Sequence, residues 1–265
     1  MTYGQKIERQ RMRFYASARS VMRKSLRKYT DELMTDINKA HTTQQILLVA
    51  NKPLRSTYVQ QGIKQIYINT LPFFANQTSR QLMPKKSTPD PITTDQWDAY
   101  IASKVVPKLA KRISWITGTT EQVFKETAQR LCAQGLKEGL GIDKIASMIQ
   151  SELNISEKYR AERIARTEVV SASNEGSFAG AKDTGLDMDK EWIAYMDDKT
   201  RQTHADMNGT TVGMDETFNM PDNFGSMDEL QYPGDNGSPE NTINCRCTIG
   251  YVMKDGEIEI GRAIE

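Results

Sequence analysis

Apolar residues recur every three or four positions near the start of the chain, at Phe14, Ala18, Met22, Leu26, Tyr29, Leu33 and Ile37, and neither Gly nor Pro falls between Lys6 and Ala40. This spacing predicts one long helix, roughly 50 Å at 1.5 Å per residue. Its apolar stripe needs a cover, either the body of the protein or another chain. Leu54 to Leu82 repeats the pattern through Val59, Ile63, Ile66, Thr70 and Phe73, with Pro72 as a kink. Met83 to Pro91, MPKKSTPDP, reads as a linker-like break. Thr94 can cap a further helix, in which Trp97, Ile101, Val105, Leu109, Ile113 and Ile116 keep a helical rhythm past Pro107 to a stop at Gly118. Another helix starts at Thr119 or Thr120 and runs through Val123, Phe124, Ala128 and Leu131 to Gly139 and Gly141. A short helix from Asp143 to Leu153 follows, then a long one from about Ser156 to Thr184, with Gly185 as its C-cap. Small residues dominate the inner side of this last helix, which lets a neighbouring helix approach closely.

After Gly185 helical periodicity disappears. Glu191 to Met196 and Cys245 to Val252 read as short strands, Glu257 to Ile260 as a third, and residues 197–244 between them are rich in Gly, Asn, Asp and Pro. The pattern predicts an α+β chain in three segments. Residues 1–90 hold the long basic helix and a helical docking region, residues 91–185 are helical, and residues 186–265 form a loop-rich tail with short antiparallel strands.

Composition narrows the class. Hydrophobic residues make up 38% and charged residues 26%, a folding balance that excludes collagen-like and disordered classes. No run approaches the roughly 18 to 20 apolar residues of a membrane span, and no apolar region follows the basic N-terminus, so neither a span nor a secretory signal is expected. Three cysteines, Cys132, Cys245 and Cys247, speak against a secreted disulfide scaffold and for synthesis in a reducing cytoplasm. The total of 35 basic and 34 acidic residues hides an asymmetry. From Met1 to Thr30 nine basic residues stand against Glu8 alone, whereas acids dominate from Asp183 to Glu240. Arg19, Arg23 and Arg27 could form a solvated helix face or touch DNA phosphates without sequence preference. Leu26 and Leu33, on the stripe, would instead dock on a protein partner, and the continuity of the stripe favours docking. A membrane-surface helix ranks third, because the stripe has no Trp.

The chemistry-bearing residues lie in the C-terminal segment. His204, Cys245 and Cys247 are three ligands soft enough for zinc, and Asp197 or Asp206 could be a fourth. Against this, Cys-x-Cys chelates less well than Cys-x-x-Cys. The favoured expectation is that His204 orders its loop by hydrogen bonding, that the cysteines lie on opposite faces of a strand, and that zinc is absent or substoichiometric. A Cys–His nucleophile pair lacks an identifiable oxyanion hole. Glu257-Ile-Glu259 has the Glu-x-Glu form of ADP-ribosyltransferases, a tripeptide too common in acidic chains to carry weight. No phosphate loop, dinucleotide fingerprint or His-Glu-x-x-His pair is present.

Six blocks in order carry a family resemblance. They are Ile164-Ala-Arg166-Thr-Glu168; Ala172-x-Asn174-x-Gly176; Trp192 with Asp198-x-x-Arg201-x-x-His204-x-x-x-x-Gly209; Phe218 and Pro221; Tyr232-Pro-Gly-Asp235; and Asn244-Cys245-Arg246-Cys247. Together, over roughly Ser147 to Val252, they resemble the phage Mu protein F-like minor head proteins, also called head morphogenesis proteins of tailed phages. The resemblance implies a non-catalytic virion protein made in the host bacterium and held at the portal or inside the capsid. Its partners would be the portal protein or the major capsid protein, with packaged DNA as a non-specific contact. Some relatives carry a cysteine pair near Arg201 to His204 that would complete a four-ligand zinc site, where this chain has Thr203-His204. The rival class is a thiol- or zinc-dependent hydrolase at His204, Cys245 and Cys247, or an ADP-ribosyltransferase. From the residues alone, Arg166 and Glu168 are expected to find buried polar partners where their helix packs on the tail, and Asn174 to satisfy loop carbonyls.

Overall fold

A computed structural model describes residues 1–83 and 93–254 and the backbone of Glu259 and Ile260. In chain order the elements are α1 (Tyr3–Ile37), α2 (Thr43–Ala50), α3 (Ser56–Leu82), α4 (Thr94–Tyr100), a π-helical turn (Ile101–Val105), α5 (Val106–Lys108), α6 (Ala110–Lys137) and α7 (Ile142–Asp183). Then follow β1 (Met188–Ile193), α8 (Gln202–Asp206), β2 (Thr211–Gly213), β3 (Phe218–Pro221), β4 (Met227–Leu230), α9 (Pro239–Thr242), β5 (Thr248–Met253) and β6 (Glu259–Ile260). The architecture is α+β, with a long first helix and short antiparallel strands near the C-terminus.

The compact units are not consecutive segments divided near 90 and 185. One unit combines residues 1–18, 64–107 and 165–265; the other combines residues 19–63 and 108–164. The second, all-helical unit consumes the apolar stripe of α1 from Met22 onward. Met22, Leu26, Leu33 and Ile37 are each at most 3% exposed. Tyr29 stacks on Phe124 with ring centroids 5.4 Å apart, and its hydroxyl donates to the carbonyl of Lys52. Gly62 lets α3 press on α1, since a Cβ there would lie 2.9 Å from the Met22 methyl. Leu26 and Leu33 are therefore core residues, and the docking surface expected on them does not exist. Fully buried Glu157 draws in the neighbouring cations, with Arg23 Nε at 3.1 Å and Arg27 Nη2 at 3.2 Å, and Arg19 pairs with Glu162 at 3.0 Å.

Two predicted breaks are absent. α6 runs straight through Gly118, where Thr117, Thr119 and Thr120 return hydroxyl hydrogen bonds to carbonyls one turn earlier, and packing outweighs the roughly 1 kcal/mol that Gly costs in a helix. α7 is one helix of 42 residues rather than two. Its buried positions Ile149, Leu153, Glu157 and Ala161 keep a four-residue spacing across the expected gap at 154–155, so the buried face is never interrupted. α4 is capped by Thr93, one residue before the expected cap, in a reciprocal capping box with Gln96. Most of the linker-like stretch after Met83 lies outside the described residues.

In the other unit, the C-terminal part of α7 packs tightly on α3. A Cβ added at Gly176 would lie 2.3 Å from the Leu71 carbonyl oxygen, and one at Gly180 2.2 Å from that of Ala75. This is the close approach that the small residues promised. At the seam Tyr67 donates to Ser171 at 2.7 Å, and Thr78 and Ser177 share a 2.9 Å hydrogen bond. Four strands in the order β2-β1-β5-β6 form an antiparallel sheet, with Trp192 opposite Ile249 and Lys190 opposite Tyr251. β3 and β4 form a separate hairpin. The expected strands are present but shifted: β1 ends at Ile193, and β5 begins only after the Cys-Arg-Cys triplet.

Candidate metal centre

Two loops converge beside β1. In the first, the Asp197 carboxylate accepts from the Lys199 amide, and α8 places His204 on the inner side. Gly209, at φ +81°, turns the chain back so that its amide donates to the Trp192 carbonyl at 2.8 Å, while the Trp192 amide donates to the Thr210 carbonyl. Asn208 Oδ1 accepts from the Ala194 amide. His204 is thereby held edge-on to the Trp192 ring, with centroids 5.8 Å apart.

The second loop follows α9. Asn244 sits in the left-handed region at φ 56°, and its amide donates to Thr167 Oγ1 on α7. Beyond it, in the stretch without helix or strand that precedes β5, Cys245 and Cys247 turn the same way. Both are 2% exposed, and both sulfurs reach His204 Nδ1, Cys247 Sγ at 3.4 Å and Cys245 Sγ at 3.5 Å. The three ligand atoms all lie within 4.8 Å of one another. The expectation of opposite faces fails on backbone geometry, since residues two apart along a strand share a face, and both sulfurs turn to His204. His204 Nε2 is buried without a hydrogen-bond partner among the described residues.

The thiols are inequivalent. The hydrogen bond from Cys245 pulls the Cys247 thiol down, against the effect of burial, and the Tyr195 amide adds to the lowering. Cys245, which gives that hydrogen bond and is itself fully buried, is pushed well up.

Neither proposed carboxylate joins the cluster. Asp197 forms a bidentate pair with Arg246, at 2.5 and 2.6 Å, which holds its carboxyl at about 2, and Asp206 accepts from Gln202. Arg201 donates to the Ile243 carbonyl at 2.6 Å and ties the two loops together.

The remaining motif residues divide by burial. Glu168 and Asn174 are buried, whereas Arg166, expected inside with Glu168, is exposed, as is Asp198. Asn174 satisfies two loop carbonyls, donating to those of Pro233 at 2.6 Å and Cys247 at 3.1 Å. Its Oδ1 accepts from Arg11 at 2.8 Å and from Thr248.

Arg11 was not singled out by the motifs, yet its fully buried guanidinium organises the whole corner. Nε donates to Ser173 Oγ, Nη1 to the Arg246 carbonyl, and Nη2 to Asn174 Oδ1 and the Cys247 carbonyl. A signal for it existed in the sequence. Arg11 lies at helical spacing between Ile7, Phe14 and Ala18, so a charge occupies the apolar seam of α1. Glu257-Ile-Glu259, the transferase-like tripeptide, lies outside the residues whose side chains are described.

The chain is similar to three known proteins of different description. Minor head protein GP7 of Bacillus phage SPP1 is 27% identical over 235 residues, covering 88% of this chain and 70% of its own length. Uncharacterized protein YqbB of Bacillus subtilis is 22% identical over 244 residues, 88% of this chain and 75% of that protein. An NAD(+)--arginine ADP-ribosyltransferase, EFV of Enterococcus faecalis, is 35% identical over 158 residues, but the shared region is 58% of this chain and only 31% of the transferase. No solved structure gives a significant match. The family model described as Phage Mu protein F like protein matches residues 126–250, a stretch that holds all six motif blocks.

Proposed function

We propose that this chain is a minor head protein of a tailed phage, a structural component of the virion that acts in head morphogenesis at the portal vertex or on the inner capsid. The observation that carries the reading is the extent of the likeness to the SPP1 minor head protein, which spans 88% of the chain and so includes both compact units. The Mu F-like match at 126–250 supports the same role. Its partners are other head proteins, with the portal protein first among them.

The architecture supports scaffolding more than turnover. Polar groups of the motif blocks are spent on one another: Asn174 on loop carbonyls, Asp197 on Arg246, Arg201 on the Ile243 carbonyl. For packaged DNA the support is electrostatic only. Arg19, Arg23 and Arg27 keep roughly half of each side chain exposed but already face Glu162 or Glu157, so the basic segment offers phosphates less than its nominal charge.

One observation favours a second reading, the 35% identity to the enterococcal transferase, but most of that protein has no counterpart here. Both readings meet in one set of measurements. Particles assembled with and without the chain are compared for protein inventory and portal retention, and the purified chain is incubated with NAD+ and an arginine analogue. Incorporation of the chain without ADP-ribosyl transfer is the expected result. Transfer of ADP-ribose by a chain that never enters particles would refute the structural role.

A further inference from the structure

We infer that His204, Cys245 and Cys247 hold one zinc ion through three protein ligands, and that the fourth coordination position is open to an exchangeable water or small anion. The first argument is geometric. With zinc–sulfur bonds of about 2.3 Å and a zinc–nitrogen bond of about 2.05 Å at tetrahedral angles, each sulfur lies about 3.6 Å from the nitrogen. The two observed separations are 3.4 and 3.5 Å. Hydrogen bonding alone accounts less well for this arrangement. Nδ1 has either one lone pair or one N–H, which serves one sulfur, whereas two sulfurs stand at the same distance from it. A single centre shared by all three atoms satisfies them together.

The second argument is charge. Two thiolates and one divalent cation sum to zero, so a fully enclosed pair of cysteines is accommodated without a buried net charge. Sulfur and imidazole donors without carboxylate select zinc over magnesium, calcium or manganese.

The open position follows from what surrounds the cluster. Among the described residues no further His, Cys or carboxylate joins it. Asp197 is held by Arg246, and Cys132 belongs to the other compact unit. The three ligands line a small cavity whose other walls are Tyr195, Lys199, Thr200, Arg201, Asn244 and Arg246. Its free volume of about 10 Å³ suits a single water-sized ligand. Lys199 and Arg201 of the wall favour an anionic occupant, the charge of Arg246 being matched by Asp197. This arrangement differs from a closed four-ligand structural site, in which no position exchanges.

Cobalt(II) serves as the spectroscopic probe, added under anaerobic, reducing conditions to the purified full chain. One cobalt per chain is expected, with a thiolate-to-cobalt charge-transfer band and four-coordinate ligand-field bands. The charge-transfer band should fall strongly in Cys247→Ser and in His204→Ala and persist in Cys132→Ser. Azide should then shift the ligand-field bands of the unmutated chain, a readout independent of whether any variant folds. Absence of the charge-transfer band from the unmutated chain, or its survival undiminished in folded Cys247→Ser, would overturn the centre. A normal cobalt spectrum that azide leaves unmoved would overturn the open position and indicate a fourth protein ligand.

Discussion

Replacing Arg11 by Met should destabilise the unit containing the strands by about 3 kcal/mol, because it removes donors while leaving the acceptors buried. The magnitude follows from which acceptors retain other partners. Ser173 still donates to the Val170 carbonyl, Asn174 Oδ1 still accepts from Thr248, and the Cys247 carbonyl still accepts from Asn174. The Arg246 carbonyl loses the donor Nη1, and the Glu8 carboxylate, 8% exposed, loses the cation 3.6 Å away. Two buried groups deprived in this way cost roughly 1–3 kcal/mol each. Part of that is returned because Met carries no guanidinium desolvation penalty, which leaves a net loss of about 3 kcal/mol. A whole-chain unfolding curve would mix the two units, so the better assay is native-state hydrogen exchange at the amides of Ile249 and Tyr251 in β5. Protection there should fall roughly 150-fold, which is 3 kcal/mol at about 1.4 kcal/mol per decade. Arg11→Lys, with its charge kept but only one donor group, should fall between the two. A loss below about 1 kcal/mol for Arg11→Met would refute the reasoning, since the network would then be dispensable.

Gly180→Ala should cost at least about 2 kcal/mol despite the roughly 1 kcal/mol gained in helix propensity, because the added Cβ would meet a backbone oxygen that cannot rotate aside. A higher urea midpoint for this variant would show that α3 and α7 are less tightly apposed. The Asp197–Arg246 pair should make stability depend on pH in a defined direction: the folded pKa of about 2 is below the unfolded value, so the contribution is complete above about pH 5 and lost as pH falls toward 2. Asp197→Asn should flatten that part of the acid-unfolding profile, and an unchanged profile would contradict the assignment. Thr93→Ala should lower helicity at the start of α4 and cost about 1 kcal/mol, read by hydrogen exchange at Trp97 and its neighbours.

The sequence displayed the helices well and their breaks poorly. Every stripe position of α1 from Ala18 to Ile37 is buried, because a continuous 3.6-residue pattern over many turns leaves little choice of face. The errors came from residues read as local punctuation. Gly118, and the gap left between Leu153 and Ser156, each lie in a helix whose buried face continues on both sides, and a loss of about 1 kcal/mol does not interrupt it. The candidate site was legible as a set of residue types and not as a geometry. His204, Cys245 and Cys247 were identifiable, and a strand over the triplet would already put residues two apart on one face, but nothing in the spacing showed that His204 stands on that side. The left-handed Asn244, held by Thr167 of α7, and the placement of His204 on α8 are tertiary features that the residue spacing does not carry.

The same geometry bears on where the functional module begins. The family match starts at residue 126, within α6, yet the compact unit that holds the His–Cys cluster also draws on residues 1–18 and 64–107. These are not peripheral additions. Arg11 grips the Arg246 and Cys247 carbonyls, Tyr67 reaches Ser171, and Tyr100 donates to Glu175 at 2.6 Å. The backbone of α3 at Leu71 and Ala75 rests against glycines of α7 with no room for a methyl group. Cutting the chain at 126 would leave those glycines facing water and the buried carbonyls without their cationic donor. The recognisable motifs therefore mark one part of a unit whose remaining walls come from the N-terminal half, where amphipathic periodicity was visible but the loops it would support were not. A long, nominally basic first helix is needed in such an arrangement for its interior face. Its stripe from Met22 to Ile37 fills the core of one unit, and Arg11 in the same seam satisfies buried carbonyls of the other.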